Sequence, residues 1–408
     1  MTKWKSQQLS NLASITMGSS PKSTAYNDEG IGLPLIQGNA DIKNRLTKPR
    51  TYTSQITKEC APGSIIMTVR APVGAIAKST VKGCIGRGVC AISATKISQD
   101  YLYQYLISQE SKWKKLEQGS TFSAIGSKDV KQLSIAYPES VKEQAQIAEV
   151  LSTVDKKIDL IDQKIAETEK LKTGLMQKLF SEGVGIQDEN GEWQPHAEFE
   201  DNGLPMHWGF LKLGSVAQVT SGGTPSRKKA SFWEKGTIPW ITTGEVNFNC
   251  ITNSSQKITD EGLKNSAAKM FPPDTILMAM YGQGQTRGRV AMLGIEASTN
   301  QACAAIICSK KLNPHFCYHY LSSQYEKIRA IGNEGSQKNL NGQIIKDILI
   351  PCPNLEEQEQ IALVLSTVDE KITLLAKQKS ETQQLKKGLM QKLLTGEWRV
   401  PVEETEAA

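Results

Sequence analysis

The chain lacks the sequence features of a membrane-spanning, secreted or metal-binding protein. No run approaches the roughly 18 apolar residues that cross a bilayer, and the first residues lack the apolar core of a signal peptide. The eight cysteines are scattered through 408 residues without a CxxC pair, which favours reduced thiols over disulfides or a zinc site. We therefore expect a cytoplasmic protein with no metal centre and no membrane partner.

Motifs of common catalytic sites are also missing. The sequence holds no Walker motif, HExxH or GxSxG. The glycines of 282–288 have one residue too many for a dinucleotide-binding loop, and the tetrapeptide at 313–316 lacks the second proline of an amino-methyltransferase motif. Nuclease-like D-x-K triplets at 155–157 and 369–371 fall inside helical patterns, where residues two apart do not face together. We expect this chain to catalyse nothing by itself.

One long segment occurs twice. Residues 143–179 read EQAQIAEVLSTVDKKIDLIDQKIAETEKLKTGLMQKL and residues 357–393 read EQEQIALVLSTVDEKITLLAKQKSETQQLKKGLMQKL, with 24 of 37 positions identical. The copies lie 214 residues apart, which is too far for a solenoid. Because 408 residues exceed what one core usually holds, the repeat predicts two duplicated halves, each a globular domain followed by a long helix.

Apolar residues recur at steps of three and four in both copies, which is typical of helices with a coiled-coil stripe. Ser140 and Glu143, like Asn354 and Glu357, are spaced as capping boxes at the helix starts. A long helix with one apolar stripe needs a partner, so we expect the two copies to pair antiparallel. Glycine inside a helix is costly and suggests close approach of another backbone, with neutral inheritance from the duplication as the alternative. The predicted interface residues are Ile147, Leu151, Val154, Ile158, Gly174, Leu175, Ile361, Leu365, Val368, Ile372, Gly388 and Leu389.

Charge separates the globules from the helices. Residues 1–140 carry a net charge of +9 and residues 205–353 a net charge of +7, whereas 141–204 carry −7 and 354–408 carry −3. Two basic globules are expected if each faces phosphate; solvated surface charge is the alternative. The predicted parts are domain 1 (1–140), helix 1 (141–182), a linker (183–204), domain 2 (205–353), helix 2 (354–396) and an acidic C-terminal tail (397–408).

The two globules are weakly similar to one another. TMGSSP at 16–21 matches TSGGTP at 220–225, LPLI at 33–36 matches IPWI at 238–241, and PGSIIM at 62–67 matches PDTILM at 273–278. Short β-rich runs broken by Gly and Pro indicate strands, with helices near 100–117 and 313–331. We therefore predict an α+β protein: two mixed α/β domains and two long paired helices, with pseudo-two-fold symmetry.

Polar and basic side chains gather in the predicted loops of both globules. Arg pairs well with guanine and Asn or Gln with adenine, and cationic side chains contact phosphate. For any single residue, a solvated loop position is the alternative. The candidate DNA-binding residues are Ser20, Lys22, Arg70, Lys78, Arg87, Arg227, Lys228, Lys229, Tyr281, Gln283, Arg287, Arg289, Asn300 and Gln301.

Two basic globules, each followed by EQxQIAxxLSTVDxKI and LKxGLMQKL, with GEWRVP after the second copy, resemble the DNA-specificity subunit of type I restriction-modification systems. The resemblance covers essentially the whole chain. It implies that each globule reads half of a bipartite asymmetric site in double-stranded DNA and that the helices set the spacer. It also implies that the helices dock two modification (methyltransferase) subunits, joined by restriction/translocase subunits.

The same resemblance places S-adenosylmethionine, ATP and Mg in those partner subunits and no cofactor in this chain. Three alternatives stay open from the sequence. They are the specificity chain of a related type II system with a bipartite site, a fused DNA methyltransferase/nuclease remnant, and a two-winged scaffold that binds only protein.

Overall fold

The computed structural model describes residues 3–119, 124–201, 203–282, 285–331 and 339–401. The chain forms two compact units: unit 1 combines Met1–Gln163 with Lys377–Ala408, and unit 2 is Lys164–Ala376. This division differs from the predicted domains, which set each long helix apart from the globules. Both units instead contain one globule and a half of each long helix.

The thirteen strands of unit 1 are β1 (Trp4–Gln8), β2 (Ala13–Met17), β3 (Tyr26–Asn27), β4 (Leu33–Ile36), β5 (Ile42–Lys43), β6 (Leu46–Thr47), β7 (Thr51–Thr53), β8 (Glu59–Cys60), β9 (Ile65–Thr68), β10 (Ile76–Lys78), β11 (Gly83–Ile85), β12 (Val89–Ala94) and β13 (Ser134–Pro138). They form sheets in the orders β2-β12-β9-β10-β6-β5, β3-β7-β4-β11-β8 and β1-β13. Helices α1 (Leu9–Leu12), α2 (Gln99–Gly119) and α3 (Ser127–Lys131) accompany them, and the long helix α4 (Val141–Glu182) follows.

The strands of unit 2 are β14 (Ile186–Gln187), β15 (Trp193–Gln194), β16 (Gly209–Lys212), β17 (Ala217–Ser221), β18 (Ile238–Ile241), β19 (Cys250–Ile251), β20 (Lys257–Ile258), β21 (Met270–Phe271), β22 (Ile276–Ala279), β23 (Val290–Leu293), β24 (Ala297–Thr299), β25 (Cys303–Cys308) and β26 (Leu349–Cys352). Its sheets run β17-β25-β22-β23-β19, β20-β18-β24-β21, β16-β26 and β14-β15. Its helices are α5 (Leu213–Val216), α6 (Asp260–Lys264), α7 (Pro314–Ser323), α8 (Tyr325–Ala330) and α9 (Gly342–Lys346), and the second long helix is α10 (Leu355–Leu393).

The two globules share one plan. The order β2-β12-β9-β10-β6 in unit 1 corresponds to β17-β25-β22-β23-β19 in unit 2. In both, a short parallel pair lies beside this sheet, β4 with β11 and β18 with β24. An antiparallel pair joins the first and last strands of each globule, β1 with β13 and β16 with β26. The predicted duplication and the α+β class are therefore confirmed.

The long helices run antiparallel in each unit. In unit 1, Asp155 pairs with Lys386 at 2.6 Å and Asp162 with Lys379 at 2.5 Å, so residue numbers rise along one helix and fall along the other. Unit 2 repeats the first contact, because Lys172 pairs with Asp369 at 2.6 Å. Asp155 and Asp369, the acids of the two D-x-K triplets, therefore hold the helices together. At about 1.5 Å per residue, α4 is roughly 63 Å long.

The helix stripes serve the domain cores as well as the helix pair. Ile147 and Leu151 are fully buried in a core that also contains Leu393 of the other long helix. Ile361 and Leu365 are equally buried in the main core of unit 2. This sharing explains why each compact unit takes in half of both helices.

The close backbone approach predicted at Gly174 and Gly388 is wrong among the described residues. Both glycines are exposed, and a Cβ built at either would meet no neighbouring atom within 4 Å. Within this chain, their matching positions agree with inheritance from the duplication. Adding a side chain there requires no rearrangement of the fold.

The Ser140 and Asn354 caps at the long helices are present, but the carboxylates of both glutamates bind other partners, Glu143 binding Arg399. The Glu143 amide donates to Ser140 Oγ at 3.3 Å, and the Glu357 amide donates to Asn354 Oδ1 at 2.8 Å. The Glu357 carboxylate, however, turns into the core of unit 2 instead of reaching back to its cap. There it accepts four hydrogen bonds, including the indole N–H of Trp208 at 2.9 Å.

The described residues of the predicted linker and of the start of the predicted tail (397–401) are folded parts of the units; residues 402–408 of that tail lie outside the described residues. Within 183–204, β14 and β15 pair, and His196 and Leu204 are buried in unit 2. After α10, Arg399 binds Glu143 through two hydrogen bonds and Val400 packs on the core of unit 1. None of the described helices has the length and apolarity that crossing a bilayer requires.

Candidate nucleic-acid interface

One edge of the main sheet in unit 1 gathers loops from four strands. The segment after β2 approaches the turn between β11 and β12, where the Ser19 amide donates to the Ile85 carbonyl at 2.9 Å. In the same turn, the Gly86 amide donates to Ile36 at 2.8 Å, and the Gly88 carbonyl accepts from Val69 at 2.9 Å. We call this edge corner 1 and define it as residues 18–22, 37, 58, 69–70 and 86–88.

Unit 2 has the same arrangement. The Gly223 amide donates to the Thr299 carbonyl at 2.8 Å, and the Asn300 amide donates to Ile241 at 3.1 Å. The Ala302 carbonyl accepts from the Met280 amide at 2.9 Å. We call this edge corner 2 and define it as residues 222–229, 242–249, 281–282, 285–289 and 300–302. The two corners therefore share three equivalent backbone hydrogen bonds.

A glycine after the first strand of each sheet permits this convergence. A Cβ at Gly18 would lie 2.1 Å from the Gly86 carbonyl oxygen, and a Cβ at Gly222 would lie 2.0 Å from the Thr299 carbonyl oxygen. Any side chain at these positions would collide with backbone. The glycines of TMGSSP and TSGGTP are thus required by the close approach of two chain segments.

Most unit 1 candidates come together at corner 1. Ser20, Lys22, Arg70 and Arg87 all lie on its loops, and the last three are exposed. The Ser20 hydroxyl accepts the Arg87 amide at 3.1 Å. Lys78 does not join them, because it lies at the opposite end of β10.

Lys78 is predicted together with the polar and basic side chains of the loops. Its ammonium group instead contacts Asp100 on helix α2 at 2.6 Å and lies 4.7 Å from the centre of the Tyr103 ring. The Lys78 ammonium group is therefore paired with Asp100 and Tyr103 of the same unit. Lys78 therefore makes a structural contact away from corner 1.

In unit 2 the described candidates all lie on the loops of corner 2; Gln283 falls outside the described residues. Exposed members supply cation, amide and aromatic groups. Two of the arginines are half-buried: Arg287 donates to the Arg329 carbonyl and Arg289 to Asn247, each at 2.8 Å. The candidates at corner 2 are Arg227, Lys228, Lys229, Tyr281, Arg287, Arg289, Asn300 and Gln301.

Arg227 is held by aromatic rings. Its guanidinium carbon lies 3.5 Å from the centre of the Trp233 ring and 5.0 Å from that of Trp240, and Nη2 donates to Gln256 at 2.5 Å. Stacking of this kind fixes the guanidinium plane while leaving donors at its edge. The arrangement presents an ordered positive charge beside Lys228 and Lys229.

An acidic side chain within corner 2 serves its own loop. Burial by itself would raise the pKa of Glu245, but hydrogen bonds from the Ser255 and Thr242 amides outweigh burial and lower the pKa below its ordinary value. The ionised carboxylate accepts from Ser255 at 2.9 Å and from Thr242 at 2.8 Å. Its charge thus stabilises the turn after β18.

Sequence reasoning missed several residues of the corners. Gln37 follows β4, Lys58 precedes β8 and accepts the Ile85 amide with its carbonyl oxygen, and Asn247 contacts Arg289. Thr224 contacts Gln301. Gln37 had a detectable signal, since it directly follows one of the segments that match between the globules. For Lys58 and Asn247 only the three-dimensional strand order reveals the location.

The Cys and His residues do not form a metal-binding cluster in the described part of the chain. All eight cysteines are free thiols, and within the described ranges no three His, Cys, Asp or Glu side chains cluster closely enough to hold a metal ion. Asn313 caps helix α7 by accepting from the His315 and Phe316 amides. The tetrapeptide at 313–316 is therefore a helix start.

The predicted helix-interface residues differ in exposure. Ile147, Leu151, Ile361 and Leu365 are fully buried, and Gly174 and Gly388 are exposed. The half-buried members are Val154, Ile158, Leu175, Val368, Ile372 and Leu389. The exposed fraction of these six is available to further contacts.

Comparison with known proteins agrees with the duplicated plan. The family described as type I restriction modification DNA specificity domain matches residues 1–170 and 205–384. The chain is 34% identical over 187 residues to a protein named for the MjaX type I restriction enzyme specificity subunit of Methanocaldococcus jannaschii. That match covers 45% of this chain and 44% of the relative, so it spans less than half of the relative's length.

Two further similarities extend over more of the chain. The type I restriction enzyme MjaVIII specificity subunit of the same organism is 28% identical over 317 residues, covering 75% of this chain and 72% of that one. A crystal structure of the type I restriction-modification S subunit from M. genitalium aligns with a TM-score of 0.63 at 18% identity, covering 96% of both chains. The structural likeness shows a shared fold. Since the family match covers both halves, this chain belongs to the type I restriction-modification DNA specificity family.

Proposed function

We propose that the chain is the sequence-reading subunit of a type I restriction-modification complex, with each corner reading one half of a bipartite, asymmetric site in double-stranded DNA. The observation that carries the proposal is the pair of equivalent corners. Each corner places exposed basic and amide side chains on the same backbone frame, in globules with net charges of +9 and +7. Cationic groups supply affinity for phosphate, and side chains able to form two hydrogen bonds supply base recognition.

The long helices are proposed to set the unread spacer between the half-sites. Each helix runs from one unit into the other, since both unit boundaries fall inside a helix. When one globule has bound its half-site, the helices hold the other globule near the second half-site. This raises its effective concentration there only if the length of the helices matches the distance between the half-sites. Helix length would therefore select the spacer.

The helices are also proposed to dock two modification (methyltransferase) subunits. Leu160 and its repeat counterpart Leu374 are 51% and 55% exposed, and Leu171 and its counterpart Leu385 are 57% and 56% exposed. Unit 1 holds Leu160 and Leu385, and unit 2 holds Leu374 and Leu171. A pair of matching exposed leucines in each unit suits two copies of one partner better than a single asymmetric partner.

In this assembly the chain would act in the cytoplasm without catalysing a reaction. S-adenosylmethionine would enter with the modification subunits, and ATP and Mg with the restriction/translocase subunits. Purified chain incubated alone with DNA and a labelled methyl donor is expected to transfer no label. Transfer by the chain alone would instead support the methyltransferase-remnant alternative.

Binding of the full chain to duplex DNA tests the proposal. Selection from a randomised duplex library should recover two short conserved elements separated by an unselected gap of constant length. The affinity should fall steeply and linearly on a plot of log K against log salt, because bound cations release counterions. An unselective library, or a flat salt response, would rule the proposal out.

The spacer function has its own test. Because Lys172 pairs with Asp369, the helix position that faces Ala166 lies close to Leu375. Inserting four residues after both positions should lengthen the recognised gap while both half-sites persist. The same insertion in α4 alone breaks the pairing and serves as the control. Altered half-sites with an unchanged gap would contradict the proposal that helix length sets the spacer.

A further inference from the structure

One turn in each corner has the same backbone and different side chains. Residues 86–88 read Gly-Arg-Gly between β11 and β12, and residues 300–302 read Asn-Gln-Ala between β24 and β25. The first residue of each turn donates its amide to the strand of the parallel pair, and the third accepts an amide from the loop after the central strand. Arg87 and Gln301 therefore occupy equivalent positions.

Two residues after Gly18 and Gly222, a hydroxyl side chain contacts the middle residue of the turn. Ser20 contacts Arg87, and Thr224 contacts Gln301. Ser20 Oγ accepts the backbone amide of Arg87, so that contact leaves the guanidinium group unused. Thr224 Oγ1 donates to Gln301 Oε1, which fixes the plane of the amide and leaves the second lone pair of Oε1 and the Nε2 donors. Arg87 and Gln301 are both exposed. The backbone hydrogen bonds of each turn thus hold one exposed side chain, Arg87 in corner 1 and Gln301 in corner 2.

The chemistry of the two side chains differs in a way that matches base recognition. A guanidinium group donates two parallel hydrogen bonds to O6 and N7 of guanine, and a carboxamide accepts from N6 and donates to N7 of adenine. We propose, resting on the function proposed above, that position 87 in corner 1 reads a guanine and that position 301 in corner 2 reads an adenine. The duplicated turn is then a specificity position whose occupant selects the base.

Other polar residues of the corners fit this role less well. Arg287 and Arg289 are half-buried and donate to protein acceptors. The Arg227 guanidinium lies over the Trp233 ring and close to the Trp240 ring, which suits a placed phosphate contact. Glycines flank Arg87, and a Cβ at Gly88 would lie 2.0 Å from the Gln37 carbonyl oxygen. The narrow turn around Arg87 leaves its side chain without bulky neighbours in the turn itself.

Exchanging the two side chains tests the inference. Full-length Arg87→Gln and Gln301→Arg variants, alone and combined, are subjected to the same duplex selection as the unmodified chain. Arg87→Gln should replace one guanine by adenine in one half-site, and Gln301→Arg should replace one adenine by guanine in the other. Discrimination at the affected position should change by roughly 5- to 150-fold, and every other selected position should stay the same.

Two controls separate base reading from charge and folding. Lys82, which pairs with Glu59 at 2.9 Å away from the corner, is replaced by Gln to remove one charge without changing the selected bases. Thermal unfolding of every variant verifies that the folded population is retained. A third variant, Arg87→Ala, is expected to relax selection at the guanine position alone.

The outcomes distinguish the base assignment of positions 87 and 301 from the proposed reading of a bipartite site. A wild-type chain that selects a bipartite site, together with folded exchange variants that keep the wild-type bases, would overturn the assignment of positions 87 and 301 only. Changes spread over both half-sites would overturn it as well. A wild-type chain without any selected sequence would refute the proposed function and this inference together.

Discussion

Replacing Glu357 tests whether one buried carboxylate holds together the start of α10 and the segment after α4. Its side chain is 2% exposed. Oε1 accepts the Val184 and Gly185 amides at 3.0 Å and His196 Nε2 at 2.9 Å, and Oε2 accepts Trp208 Nε1 at 2.9 Å. Four buried donors thus depend on two oxygens.

The number of hydrogen-bond donors left without an acceptor sets the expected loss in unfolding free energy. Glu357→Ala leaves all four donors without this acceptor, and at about 1–3 kcal/mol for each unsatisfied group, less where water enters, we expect a loss of about 4–6 kcal/mol in unfolding free energy. Glu357→Gln keeps an oxygen at the Oε1 position and sets an N–H against the Trp208 indole. That variant should lose only about 2–3 kcal/mol.

Two measurements check this reasoning. Urea denaturation gives the free energies, and a double-mutant cycle with Trp208→Phe should show a coupling of about 1–2 kcal/mol, because the Gln N–H no longer faces a donor. Hydrogen exchange should find the Val184 and Gly185 amides protected in Glu357→Gln and unprotected in Glu357→Ala. Equal losses for both variants, or amides that stay protected in the alanine variant, would refute the account.

The remaining stability predictions concern one ion pair and one histidine. Arg399 Nε and Nη2 lie 2.6 and 2.8 Å from the Glu143 carboxylate, whose side chain is 1% exposed; Arg399→Ala should therefore cost about 2–4 kcal/mol in urea unfolding, with Lys restoring only part, and a loss near zero would contradict the pairing. Burial, with the nearby positive charge of Lys172, lowers the pKa of His319 to about 3, so below its unfolded pKa the unfolded chain binds a proton that the folded chain does not. Stability should consequently fall as pH drops from about 6.5 towards 3, by about 2 kcal/mol between pH 7 and pH 5, and His319→Gln should remove that part of the slope; an unchanged slope would be the contrary result.

The long helices were predictable because their information is local. The apolar period, the caps and the repeat place the start of each long helix within a residue of the observed start. The stripe does not tell which partner covers it, however. Ile147 and Ile361 look like coiled-coil residues in sequence, yet they complete domain cores.

The corners were predictable only in part, because strand order decides which loops meet. Arg70 follows strand β9 and Lys78 ends strand β10, and only the antiparallel pairing of β9 with β10 sends them to opposite ends of the sheet. Gln37 reaches corner 1 through the parallel pairing of β4 with β11; the match of the preceding segment 33–36 to 238–241 marks a strand in the sequence, but only this non-local pairing decides which loops Gln37 meets. Gly174 shows the converse, since its placement inside a helix suggested tight packing that does not exist.

The discontinuous composition of unit 1 has a consequence during synthesis. Its core includes Leu393 and Leu394, which the ribosome adds only after all of unit 2 has been translated. At about 5–20 residues per second, the nascent amino-terminal globule waits about 12–46 s for the segment that closes its core. During that interval it carries uncovered apolar surface, so a chaperone that shields early chain segments is expected to raise the yield of folded protein more than one that acts after release.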